Sequence, residues 1–81
     1  MAAPRPVWQI VKRLAGHPSF EVMATVKGPD ALTVLKKWHS SRPDQDAYEL
    51  KDGAGYLEGQ GVVIQAVPEG WLDADTGLPV S

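Results

Sequence analysis

The sequence predicts a small α+β domain, a β-β-α-β-β chain in which an antiparallel sheet carries one helix on one face. Three observations carry that prediction. Only one stretch, 28–41, places its apolar residues at helical spacing. Several short stretches alternate apolar and polar side chains, as half-buried strands do. The first two of these are joined by "AGHPS" (15–19), far too short for a parallel crossover. At 81 residues the chain reads as one domain. A chain of this size buries roughly 60–65% of the surface its unfolded form exposes.

Residues 1–6, with two prolines among small side chains, are expected to form a loose arm. "VWQIVKRL" (7–14) is β-rich, with Trp8, Ile10 and Leu14 on one face and Val7 and Val11 on the other. The pattern alone leaves open which of these faces is buried. Gly16 and Pro18 mark the turn that follows. "FEVMATVK" (20–27) alternates Phe20, Val22, Ala24 and Val26 with Glu21, Met23, Thr25 and Lys27, a second strand of the same hairpin.

In 28–41, Gly28 can act as N-cap and Pro29 suits the first helical position, where no N–H is required. Ala31, Val34, Leu35 and Trp38 form one apolar stripe, with Leu32 beside it. Asp30 in the first turn and Lys36, Lys37 and His39 towards the end suit the helix dipole. Pro43 holds Arg42 extended, so the helix should stop near Ser41. "AYELK" (47–51) reads as a third strand and "VVIQAV" (62–67) as a fourth. Pro68 and Gly70 turn the chain towards "WLD", and residues 74–81 read as a loose tail.

"KDGAGYLEGQG" (51–61) holds four glycines in eleven positions. A dinucleotide-binding loop would need G-x-G-x-x-G leading into a helix, and a P-loop would need Lys and Ser or Thr after its last glycine. Here Val62-Val63 follow, and Asp52 and Glu58 would repel a phosphate. The stretch is expected to connect two strands, with Asp52-Gly53 as a turn. "GYLEG" reads as a short strand or a single helical turn. Tyr56 and Leu57 are then a contact site if they point outward and plain structure if they fold in.

Other chemistry is sparse. Absence of cysteine removes disulfides, thiolate chemistry and cysteine metal sites. His17, His39 and Asp44 or Asp46 have no metal-site spacing, and "DADTG" (73–77) lacks the later ligands of a calcium loop. The serines sit in no nucleophile elbow. The sequence is therefore expected to be non-enzymatic, with no cofactor and no metal. No apolar run approaches the ~18–20 residues that span a bilayer, and the run after Arg5 is too short for a signal core. A cytoplasmic protein without membrane contact is expected.

The net charge of −2 conceals an asymmetry: residues 1–42 carry +5 and residues 43–81 carry −7. Either the halves intermix on the surface or the molecule is bipolar and steers charged partners. A second asymmetry is apolar. With Phe20, Val22, Ala24, Val26 and Ile64 under the helix, the opposite face keeps Met23, Val63, Val67 and part of the first strand. Either Trp71–Leu72 or the tail folds over that face, or it meets a partner or a second copy of the chain.

The expected function is a small protein–protein interaction domain, an inhibitor or modulator of a larger protein. Its partner-binding residues would be Trp8, Met23, Tyr56, Leu57, Val63, Val67 and Trp71, with self-association through the open face or an edge strand as a variant. In size and outline the chain is similar to small accessory proteins, some phage-encoded inhibitors of host machinery among them. The alternative is a nucleic-acid-binding module using Arg5, Lys12, Arg13, Lys36, Lys37 and Arg42.

Overall fold

The computed structural model describes residues 6–51, 53–73 and 75–80. Strand β1 (Val7–Leu14) pairs with β2 (Glu21–Lys27) as an antiparallel hairpin, and helix α1 (Ala31–Ser40) follows. A single 3-10 turn (Gln45–Ala47) leads into β3 (Glu49–Lys51), β4 (Tyr56–Gly59) and β5 (Val62–Pro68). The five strands form one antiparallel sheet in the order β2-β1-β5-β4-β3. This is the expected α+β arrangement with one strand more than the sequence pattern suggests.

The extra strand is β4, inside the glycine-rich stretch. It exists because the chain can reverse tightly at both of its ends. On one side, the N–H groups of Ala54 and Gly55 donate to the Lys51 carbonyl at 3.0 and 2.7 Å, with Gly55 at φ +77°. Asp52, half of the expected turn pair, lies outside the described residues. On the other side, Gln60 and Gly61 both adopt positive φ, 55° and 73°. Two consecutive left-handed residues suit a two-residue hairpin turn, whose twist matches that of the strands.

Helix α1 begins two residues later than a Gly28 N-cap would place it. Asp30 is the N-cap, its Oδ1 accepting from the Thr33 N–H at 2.8 Å. Gly28 has a different role. It is buried, and a Cβ on it would collide with Val34 Cγ1. Its carbonyl accepts from Trp8 Nε1 at 3.0 Å. The far end is closed by hydroxyls: Ser41 Oγ donates to the Trp38 carbonyl at 2.8 Å and Ser40 Oγ to that of Lys37 at 3.1 Å.

The Thr33 N–H, first of all, holds the Asp30 carboxyl below its ordinary value of 3.8. A depressed folded-state pKa stabilises above the unfolded value, and that contribution is lost as pH falls through the folded one. Asparagine caps as well as aspartate but does not titrate. Asp30→Asn is therefore expected to leave stability near neutral pH almost unchanged. It should also flatten the loss of stability below about pH 4. Urea unfolding across an acid series checks this, and an unchanged acid limb would contradict it.

Helix α1 rests mainly on β5 and secondarily on β1. Ile10, Val34, Leu35, Leu57 and Ile64 are buried between the layers, with Trp8, Ala24, Val26, Trp38, Leu50 and Ala66 around them. The face of β1 left undecided by its pattern is thus settled: Trp8 and Ile10 turn towards the helix. Phe20 and Val22, expected on that face, do not join it. Ile10 pairs with Ala24, but Val11 pairs with Val22, so Met23 forms a bulge and the alternation of β2 switches there. A bulge inserts one unpaired residue and inverts the side-chain parity beyond it.

The opposite face carries its own cluster: Val11, Val67 and Leu72 are buried, with Phe20 and Trp71 packed against them. The cover is the C-terminal segment. Leu72 bridges to Pro79, Asp73 N–H donates to the Leu78 carbonyl, and Val80 N–H donates to that of Trp71, the last two at 2.8 Å. Residues 75–80 are therefore bonded back onto 71–73 instead of trailing as a loose tail. Phe20 N–H holds the segment in place by donating to the Gly77 carbonyl at 2.6 Å, and the Phe20 and Trp71 rings meet edge to face at 5.5 Å. Gly77 sits at φ +71°, and a Cβ there would lie 2.9 Å from the Phe20 carbonyl oxygen. Glycine is what permits both the backbone angle and the approach.

Candidate partner-binding groove

A helix centred on β5 and β1 cannot also cover β2, the strand at the sheet edge. The consequence is a groove between α1 and β2, with a volume of about 350 Å³. Val26 of β2 and Val34 and Trp38 of α1 supply its apolar surface, and Lys27, Lys37 and Ser41 line the rest. Val34 and Trp38 meet there because residues four apart share a helix face.

The Trp38 wall is braced from behind. The Arg42 guanidinium carbon lies 4.5 Å from the ring centroid. Arg42 is fixed in turn by two bonds to the Asp44 carboxylate, Nε to Oδ1 at 2.8 Å and Nη2 to Oδ2 at 3.2 Å. This fork is the reason the Asp44 carboxyl lies below, and the Arg42 guanidinium above, its ordinary value. A ring nitrogen of His39 lies 2.8 Å from the Gln45 carbonyl oxygen, tying down the same connection. The segment "RPDQD" (42–46) is thus a buttress for the helix end.

Two lysines flank the groove. Among the described residues neither Lys27 nor Lys37 forms an ion pair, whereas Lys12 lies 3.5 Å from Glu21 and Lys51 lies 3.1 Å from Glu49. The sheet order also separates charge. β2 and β1 hold Lys27, Lys12 and Arg13 against Glu21 at one end, while β3 and β4 hold Glu49, directly opposite Glu58, against Lys51 at the other.

The residues expected to bind a partner are scattered. Leu57 and Val67 are buried on opposite faces of the sheet and present nothing to a partner. Trp8 is half-buried and held by its indole bond to Gly28, and Trp71 is committed to covering the second cluster. Tyr56 and Val63 are half-buried on the face away from the helix. Met23 is exposed at the bulge. So the two apolar residues of the glycine-rich stretch divide: Leu57 folds inward and Tyr56 only partly.

The nucleic-acid set is no more coherent. Arg5 lies outside the described residues. Lys12 pairs with Glu21, and the Arg13 guanidinium carbon lies 5.5 Å from the Phe20 ring centroid. Lys36 is exposed on α1. Lys37 and Arg42 reach the groove region, one on its wall and one behind Trp38. Sequence reasoning passed over Val26, Lys27, Val34, Trp38 and Ser41 as a site. The available signal was Trp38 with Arg42 one helical turn on, a spacing that favours stacking at a helix end. Among the described residues no three histidine, aspartate or glutamate side chains gather as a metal site would require, and no helix is long and apolar enough to cross a membrane. Compared with known proteins, the chain matches no protein-family model, no curated protein and no solved structure.

Proposed function

We propose that this chain is a non-enzymatic protein–protein interaction domain that inhibits or modulates a larger protein through the groove between α1 and β2. The observation that carries the reading is a braced apolar surface at Val26, Val34 and Trp38 that opens beside an edge strand. Aromatic residues held rigid next to an arginine are frequent anchors of protein interfaces. An edge strand adds backbone groups that a partner chain can pair with. The cysteine-free composition suits action in a reducing cytosol. A nucleic-acid role is supported less, because Lys12 and Arg42 are engaged by Glu21 and Asp44.

The test is affinity purification of the tagged chain from its native host beside a Ser41→Tyr variant, which places a ring at the groove mouth. One or a few host proteins are expected to be retained by the wild type and reduced about tenfold by the variant, with circular dichroism showing that the variant is folded. Equal recovery with both chains, or no specific recovery with either, overturns the proposal.

A further inference from the structure

We infer that the groove takes an acidic, extended peptide segment bearing one bulky apolar side chain, laid along the free edge of β2. This rests on the interaction reading above and specifies the partner's chemistry. Three features on the molecule point to that occupant. The groove has an apolar side, formed by Val26, Val34 and Trp38, and a volume of about 350 Å³, enough to admit one large side chain. Two lysines, Lys27 and Lys37, are among the residues that border it, and neither forms an ion pair among the described residues. Charges of opposite sign on the incoming segment would therefore complement them. Finally, β2 is an edge strand, regular from the bulge at Met23 to Lys27, so it can add one more strand there.

Other occupants fit less well. A nucleic acid would draw on Lys12 and Arg42 as well, and these are engaged by Glu21 and Asp44. A second copy could offer its acidic β3–β4 end, but joining that end to this groove is a head-to-tail contact. Such contacts propagate unless the rotation happens to close.

The probes are three fluorescein-labelled ligands: the acidic heptapeptide EDVFVDE, its basic counterpart KKVFVKK, and an oligothymidylate of similar length. Anisotropy at low ionic strength is expected to show the acidic peptide binding about tenfold tighter than either other ligand, with the preference shrinking as salt is added. The double substitution Lys27→Glu with Lys37→Glu should reverse the preference between the two peptides. Both sites are exposed, and circular dichroism confirms the fold. Amide shifts in the wild type should concentrate at 24–27 and along α1. Equal binding of the two peptides overturns the inference, as does tighter binding of the oligothymidylate or shifts centred elsewhere. So does concentration-dependent self-association that competes with the acidic peptide. If host capture is sensitive to Ser41→Tyr while the acidic peptide shows no preference, the interaction reading stands and this inference falls.

Discussion

Leu35→Ala is expected to remove about 3–4 kcal/mol of stability, as deletion of a fully buried leucine generally does. Leu35 is 0% exposed and joins Ile10, Leu57 and Ile64 in the helix-side cluster. It lies on the helix, so its loss leaves the cavity in the interface between α1 and the sheet. A chain of 81 residues has a total stability on the order of 4–12 kcal/mol. The variant should therefore sit close to the unfolding margin. Urea denaturation should show a lower midpoint at an unchanged slope, the mark of altered stability rather than an altered unfolded state. Leu35→Met keeps the volume and should lose less than about 1.5 kcal/mol. A loss below about 1 kcal/mol in the alanine variant would mean that α1 is held by something other than this cluster.

Gly59→Ala is expected to cost about 2–3 kcal/mol, a large effect for one added methyl group. A Cβ at this position would land on the Ala47 carbonyl oxygen and press on the backbone of Ala47 and Tyr48. Every one of those atoms is main chain, so no rotamer change relieves the clash. Either the turn at Gln45–Ala47 shifts or β4 slips against β3. Gly53→Ala is the control: nothing lies within 4 Å of a Cβ there and its φ is not positive. That change should be neutral or stabilise by up to about 1 kcal/mol, through a less flexible unfolded chain. The same urea experiment reads both. Equal behaviour of the two variants would sink the steric argument.

The parts of this fold that were legible in the sequence are those set by neighbours along the chain. The stripe Ala31, Val34, Leu35 and Trp38 places α1, and the alternations at 7–14 and 62–67 place β1 and β5. What escaped depends on contacts across the chain. The bulge at Met23 is set by pairing with β1, because nothing in Val22-Met23-Ala24 breaks the alternation. β4 is four residues long, too short for periodicity to separate it from a turn. The segment after Trp71 has no pattern of its own and is ordered by Phe20, far away in sequence. The groove was invisible for the same reason. Its existence depends on where α1 comes to rest across the sheet, and no single element records that.

The pairing of β1 with β5 along nearly their full lengths governs how this protein comes into being during synthesis. The β1–β2 hairpin and α1 leave the ribosome first, while the strand that carries most of the helix is still to be made. Until Pro68 clears the exit tunnel, the sheet has no centre, and Ile10 and Leu35 have no complete core to enter. Contacts this distant in sequence are slow to close, and the chain that waits for them exposes apolar surface. Closure of the sheet is thus expected to wait for β5. A ribosome stalled before β5 would release not a smaller folded domain but a substrate for chaperones and proteases.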